Sequence, residues 1–227
     1  HTHPNAAAFF SDQDDRNERE LARLAQNRNG QTAALLSVLL TGAGDIRTQL
    51  WPDAHAPIAA ETVRVVGRQL DFHGTSKATH GSDAFVRQAL AFGPAMNAKL
   101  RALRVGVVGC GGTGSATAML LARLGVGQIV LFDDDIVEAS NLNRLHGARR
   151  SDADAMRPKV EIVAREIAEM GIGVRAVPLR GWINNPAARD ALKACDVIFG
   201  CTDDHDGRLL LNRLAYFYLI PVIDMGL

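Results

Sequence analysis

From residue 104 onward, short apolar runs alternate with amphipathic stretches of helical period. Val105-Gly106-Val107-Val108 reads as a buried strand, Ala116 to Leu124 as a helix, and Gln128 to Phe132 as a second strand. Val160, Val163, Ala164, Ile167 and Met170 then recur at helical spacing, in a helix opened by Arg157-Pro158-Lys159 with Pro158 at its first position. The alternation continues with a strand over Val174–Leu179, a short helix from Pro186 to Cys195, and a buried strand over Asp196–Gly200. A helix from Arg208 to Leu219 and a strand over Pro221–Ile223 follow. Strands alternating with helices imply an α/β domain with a parallel sheet and right-handed crossovers. Asp83 to Leu103 precedes it as helical segments interrupted near Gly93-Pro94.

The first third of the chain has another rhythm. Ser11-x-x-Asp14 reads as a capping box before the amphipathic stretch Glu18 to Ala25. The apolar run Ala33–Leu40 and the segment Ile46–Trp51 flank a Gly42-Ala43-Gly44-Asp45 turn and predict a hairpin. Residues 61–72 suggest a weaker strand or edge segment, and the small, polar stretch His73–Ser82 a linker. The expected organisation is a domain over 1–75, a linker over 76–82 and a second domain over 83–227.

Composition narrows the partners. Twenty-five basic and twenty-five acidic residues cancel, so no general attraction to nucleic acid or to a membrane surface is indicated. No apolar stretch approaches the ~18 residues of a membrane span. Cys110, Cys195 and Cys201 are an odd number without metal-ligand spacing, which suits reduced thiols in a cytoplasmic protein. His1 already lies inside a motif and the chain stops as a strand leaves the sheet, so the sequence reads as a piece of a longer chain.

The loop Gly109-Cys110-Gly111-Gly112-Thr113-Gly114-Ser115 lies between the first strand and helix. Read as G-x-G-x-x-G, it places Gly109 at a tight turn, Gly111 where backbone approaches a phosphate, and Gly114 where helix packs on strand. The helix N-terminus then faces an anion. Alone, this suits nicotinamide, flavin or ATP. The second strand ends in Asp133-Asp134-Asp135, where a ribose hydroxyl pair is usually held. Lys159 in a helix's first turn opposes the macrodipole by about 0.3–1 kcal/mol, and a triphosphate would compensate it; the plainer alternative is a solvated surface lysine. The glycine loop, Asp133, the Asn141–Arg144 segment and Asp203 all follow strands and so collect at one sheet edge. An acid for ribose, a lysine and an arginine for phosphates, and a second acid for a divalent metal together describe Mg-ATP rather than NAD. Attack of a carboxylate on the α-phosphate joins two anions, so positioning, metal and cations supply most of that catalysis. The rival, an NAD-dependent oxidoreductase, would want an acid/base opposite the nicotinamide, and the sequence offers no candidate.

G-C-G-G-T-G-S, D-D-D-x-V-x-x-S-N-L-N-R, R-P-K-V and C-T-D, in this order, strongly resemble the adenylation domain of ubiquitin-activating enzymes and their bacterial ThiF/MoeB/HesA relatives, over about residues 83–227. The resemblance implies a Rossmann-like, doubly wound, mostly parallel sheet that uses ATP and Mg2+. It also implies a homodimer that adenylates the C-terminal glycine carboxylate of a ubiquitin-like or sulfur-carrier protein. By it, Gly109, Gly111, Gly112 and Gly114 cradle the nucleotide, Asp133 binds ribose, and Asp135 is a supporting acid. Asn141, Arg144 and Lys159 contact the phosphates and Asp203 handles magnesium. Arg87, in Phe85-Val86-Arg87-Gln88, matches an arginine that reaches across a dimer to the γ-phosphate, and Arg208 with Asn212 would shape the pocket. Leu145 departs from the family, which usually has glutamine there. None of the three cysteines fits the thioester role of many relatives; Cys110 near a helix N-terminus could have a lowered pKa but reads better as a small loop residue. Cys195 and Cys201 read as core.

At the N-terminus, the strand period of two puts His1 and His3 on one face. Two imidazoles and the Asp14 carboxylate would leave a fourth zinc position open for water, a catalytic arrangement. The plain alternatives are the capping box and the remnant of an appended tag. H-x-H-P-x(6)-S-x-x-D resembles the JAMM (JAB/MPN) metalloprotease motif of deubiquitinating enzymes. It implies a partial α+β domain with His1, His3 and Asp14 as Zn2+ ligands and Ser11 stabilising the oxyanion; the family's general-base glutamate lies upstream of the histidines. The whole then reads as a peptidase fused to an adenylating activator, with a non-catalytic module that binds a ubiquitin-like protein as the alternative.

Overall fold

The computed structural model describes residues 2–3, 8–60, 62–67, 70–74 and 83–226, and the chain divides into two compact units, His1–Lys77 and Ala78–Leu227. The first contains β1 (Thr2–His3), α1 (Asp12–Asn29), β2 (Leu35–Thr41), β3 (Ile46–Trp51), β4 (Ile58–Ala59), β5 (Thr62–Val66) and β6 (Leu70–Gly74). Ser11 caps α1 and forms the capping box with Asp14, while Asp12, Asp14 and Asp15 place negative charge at the positive end of the helix. The predicted hairpin is the antiparallel pair β2–β3, with Leu36 opposite Leu50 and Leu40 opposite Ile46; β1 joins β2 in parallel and β4 joins β3. Glu18 binds α1 to this sheet by accepting from Gln49 Nε2 and Trp51 Nε1, each at 2.7 Å, and Trp51 is fully buried.

The segment over 61–72 is two strands rather than one, since β5 and β6 pair antiparallel as a separate two-stranded sheet. β6 runs to Gly74, so His73 and Gly74 belong to a strand instead of a linker, and residues 75–82 lie outside the described residues.

The second unit contains α2 (Val86–Phe92), α3 (Pro94–Ala102), β7 (Arg104–Val108), α4 (Gly112–Leu124), β8 (Gln128–Asp133), α5 (Arg150–Asp154) and α6 (Lys159–Glu169). It continues with β9 (Arg175–Arg180), α7 (Pro186–Lys193), β10 (Val197–Gly200), α8 (His205–Tyr218) and β11 (Val222–Asp224). The strands form one sheet in the order β11-β10-β7-β8-β9, every pairing parallel. Successive strand residues face opposite sides, which explains their near-continuous apolar runs. Val107, Ile129 and Leu131 enter a core with Ala118 and Ala122 of α4 and Val160, Val163 and Ile167 of α6. Val108, Val130 and Phe132 enter the opposite core with Leu192 of α7 and Leu211 and Leu214 of α8. The sheet is therefore covered on both faces, as the alternation of elements predicts.

Two helix starts differ from the periodicity. Pro158 caps α6 from outside instead of forming its first residue. α8 begins at His205 because the Asp204 carboxylate accepts from Gly207 N at 2.6 Å, starting the helix before its apolar face begins. No described helix is long and apolar enough to cross a membrane.

Met156 has φ +48° and is 65% exposed, so it occupies a left-handed conformation with little packing in return. Such strain costs about 1–3 kcal/mol, and glycine gives back about 0.4–1 kcal/mol through the unfolded chain. Met156→Gly is expected to stabilise the second unit by about 1 kcal/mol, raising its Tm by ~2–4 °C. Calorimetry showing an unchanged or lower Tm would contradict this.

Candidate functional site

The glycine loop turns directly off β7. Gly109 has φ +88°, its N–H donates to Phe132 O at 2.8 Å, and a Cβ there would stand 2.8 Å from the Cys201 carbonyl oxygen. A Cβ on Gly114 would run into the carbonyl of Gly109, which confirms the close helix–strand packing. Nothing lies within 4 Å of a Cβ on Gly111, so this residue faces open space, while a Cβ on Gly112 would stand 3.4 Å from the aliphatic stem of Arg144. No side chain caps the N-terminus of α4, which leaves its first amides for another acceptor.

Asp133 ends β8, buried, with one oxygen accepting from Cys110 N at 2.6 Å and the other from Asp135 N at 2.8 Å. It thus ties the second strand to the glycine loop, a role the sequence does not reveal. Burial raises its pKa above the ordinary aspartate value in spite of both amides. Cys110 is buried, and desolvation, with the nearby Asp133 charge second, pushes its thiol well above the usual range. A lowered pKa at the helix N-terminus is therefore overturned, and Cys110 is a packed loop residue. Cys195 is buried in the α7–α8 core, and the half-buried Cys201 packs against the α4–α6 core.

Between β8 and α6 the chain makes a long excursion, residues 134–158, back across the sheet edge. Asn141 is buried and its side-chain oxygen accepts from Glu138 N at 3.0 Å. Arg144 donates to Ser140 O at 2.5 Å and to Asn143 Oδ1 at 3.2 Å. Lys159 lies 2.5 Å from Asp135 Oδ2, and its N–H donates to the Asp135 carbonyl at 3.0 Å. The anion that its helix-start position calls for is therefore supplied by the chain itself, which corrects the expectation that a triphosphate must provide it. The lysine is 12% exposed and the aspartate 65%, so the pair meets solvent on its carboxylate side. Leu145 is buried with Val137 and Ile162 in a small third core, so this position anchors the excursion.

Asp203 follows β10 and is exposed, and its carboxylate bonds no described residue, whereas Asp204 is used in capping α8. Among the described residues, the carboxylates close enough together to hold a metal ion are those of Asp133, Asp134 and Asp135, within 4.8 Å of one another; Asp203 is outside that group. Arg208 donates to the Gly226 carbonyl and lies 3.3 Å from Asp224 Oδ2, holding the end of β11 to α8, and Asn212 is exposed on the same helix. Arg87 is exposed on α2, a helix that buries none of its residues. The structure thus brings Gly109, Gly111, Gly112, Gly114, Asp133, Asp135, Asn141, Arg144 and Lys159 together and places Asp203 at the same edge. Arg87 forms no hydrogen bond or ion pair among the described residues. A groove of about 440 Å³ between α4 and α6, lined by Met119, Arg123, His146 and Glu169 among others, contains none of them.

In the first unit, Ser11 and Asp14 do meet. Asp14 Oδ2 accepts from Ser11 N at 2.9 Å and Ser11 Oγ at 2.7 Å. His1 and the side chain of His3 lie outside the described residues, so the zinc set is not assembled among them.

Known proteins show the same fold. The chain is 34% identical over 131 residues to the SAMP-activating enzyme E1 of Haloferax volcanii, covering 58% of this chain and 48% of that protein. It is 36% identical over 127 residues to the molybdopterin-synthase adenylyltransferase of Salmonella typhimurium, covering 55% and 49%. The chain thus spans about half the length of these relatives. Among solved structures, the E. coli tRNA N6-threonylcarbamoyladenosine dehydratase TcdA in complex with ATP superposes with a TM-score of 0.58 at 26% identity, covering 64% of this chain and 61% of that one. The five-stranded parallel sheet is a Rossmann-like α/β arrangement that this similarity supports, and with residues 85–227 matching the ThiF family, the chain belongs to that family.

Proposed function

We propose that residues 83–227 activate the C-terminal glycine carboxylate of a ubiquitin-like or sulfur-carrier protein by adenylation with Mg-ATP. The reading is supported by a connected set at one sheet edge: Asp133 accepts from the glycine-loop amide of Cys110 and from Asp135 N, Asp135 pairs with Lys159, the Arg144 stem lies beside Gly112, and Gly111 faces open space. A carboxylate oxygen would attack the α-phosphorus, the bond to the β-phosphate oxygen would break, and pyrophosphate would leave. Lys159 and Arg144 offset the gathering negative charge, Gly111 lets backbone approach the phosphates, and the free lone pairs of Asp133 accept ribose hydroxyls. Asp203, whose carboxylate bonds no described residue, would hold the magnesium ion, which would supply further charge neutralisation. The chain needs no nucleophile for this step, and buried Cys110 is suited to none. Carrier-dependent ATP–pyrophosphate exchange tests the proposal. ATP binding without exchange, with a Gly-Gly-ended carrier, would make the domain a non-catalytic binding module, and NAD binding in place of ATP would make it an oxidoreductase.

Ribose binding requires Asp133 ionised. Because its pKa is raised, ATP affinity is expected to fall on acidification from a pH above the ordinary aspartate range, as titration calorimetry would show. The stability effect has the opposite sign. A raised folded pKa favours the fold below the unfolded value, and that contribution is lost as pH rises through the folded pKa.

Arg87, exposed on α2, would complete the site of a second copy. If so, Arg87→Ala and Lys159→Ala proteins, each inactive, regain roughly a quarter of wild-type exchange on random mixing, since each mixed dimer has one intact site. No recovery in a mixed dimer would refute the assignment.

For the first unit, the zinc peptidase reading rests on the spacing of His1, His3 and Asp14 alone. The one described ligand, Asp14, already accepts twice from Ser11, and no catalytic step is derived through zinc. Stoichiometric zinc in the protein, lost in Asp14→Ala, would support the reading; a zinc-free protein after supplementation would remove it.

A further inference from the structure

The excursion over residues 134–158 carries Asp135, Asn141 and Arg144 and delivers Lys159, and among the described residues its apolar anchor is the small core around Leu145. Backbone pairing closes its base, with Ile136 bridged to Pro158 and Val137 N donating to the Arg157 carbonyl at 2.8 Å, and a side-chain network holds the stretch between. Asp152, on α5 within the excursion, is buried with its side chain 3% exposed. Arg165, on α6, shares a helix with Lys159. Its guanidinium grips both Asp152 oxygens, at 2.7 and 3.0 Å, and donates to the Gly147 carbonyl at 2.8 Å. The same carboxylate accepts from Arg149 N at 2.9 Å, and the Asp152 carbonyl accepts from Arg157 N at 3.0 Å.

We propose that the Asp152–Arg165 pair is a positioning clamp for the nucleotide edge, fixing the excursion at both ends relative to the helix that bears Lys159. On one side it holds Gly147 and Arg149, just after Arg144; on the other it holds Arg157, just before Lys159. A planar guanidinium suits this because its fork meets a carboxylate twice and still has a donor for the carbonyl, which an ammonium does not reproduce with the same geometry. Arg165 hydrogen bonding holds the Asp152 carboxyl below its ordinary range, consistent with a permanently ionised clamp. The outer contacts of Arg149 with Glu166 and Glu169, 3.2 Å each, are solvent-exposed on the arginine side and contribute little. The functional part of this inference rests on the ATP reading above; the mechanical part does not.

Asp152→Asn keeps the shape and removes the charge, and Arg165→Lys keeps the charge and removes the fork. In both, hydrogen exchange in the nucleotide-free protein is expected to quicken about tenfold for amides of 136–158 while strand amides of β7, β8 and β10 stay within about twofold. The KM for ATP in pyrophosphate exchange should rise about tenfold with the KM for the carrier little changed. Uniform loosening of sheet and excursion, unfolding of both variants, or unaltered exchange over 136–158 would each overturn the clamp. Selective loosening with an unchanged KM for ATP would overturn its role at the site. If the parent protein shows no pyrophosphate exchange at all, the ATP reading fails, and hydrogen exchange still decides whether the clamp exists.

Discussion

Lys159→Ala is expected to lower carrier-dependent ATP–pyrophosphate exchange by roughly 10²–10³-fold, the usual loss when one preorganised charge-stabilising donor is removed. Its side chain is 12% exposed and its Nζ is held 2.5 Å from Asp135, on a helix fixed to the sheet by Val160, Val163 and Ile167, so little reorganisation accompanies its use. The fold should survive the change. The Asp135 carboxylate is mostly exposed and re-solvates cheaply, and a cation leaves the positive end of a helix. A Tm within a few degrees of the parent, together with the activity loss, separates a phosphate-binding role from a structural one. Lys159→Arg should restore part of the activity, because charge returns with altered reach.

Asp133→Ala should fail in two ways at once. ATP binding should weaken by roughly 10²-fold, equivalent to ~2.7 kcal/mol, as the acceptor for the ribose hydroxyls is lost. The protein should also lose stability, because the Cys110 and Asp135 amides lose their acceptor, and an orphaned buried donor costs about 1–3 kcal/mol. Asp133→Asn should fall between, since an amide oxygen can serve one of these N–H groups while its NH2 opposes the other. Calorimetric titration with ATP and thermal unfolding measure the two losses separately. Full ATP affinity in Asp133→Ala would remove this residue from the site.

These residues were legible to different degrees, for physical reasons. Strands β7, β8 and β10 are buried on both faces and announce themselves as apolar runs, and the glycine loop is legible because Gly109 and Gly114 sit where side chains have no room. Sheet topology alone brought Asp133, the Asn141–Arg144 segment and Asp203 to one edge. The bonds within that edge were not legible. Lys159 and Asp135 are 24 residues apart, and Asp152 and Arg165 are 13 apart, in a polar stretch whose charges have no period that distinguishes a buried pair from a solvated face. The start of α8 was hidden because Asp204, a single polar side chain, sets it ahead of the apolar face. In the first unit, Ser11 and Asp14 satisfy a helix cap and a metalloprotease spacing with the same atoms, so the motif alone does not separate the two.

The most direct test of adenylation follows an oxygen atom. A Gly-Gly-ended carrier labelled with oxygen-18 in its C-terminal carboxylate is incubated with ATP, magnesium and the protein, and the acyl group is then discharged to hydroxylamine. If the carboxylate attacks the α-phosphorus, the released AMP carries one labelled oxygen and the other product is pyrophosphate. Unlabelled AMP, or ADP with phosphate in its place, would contradict the account.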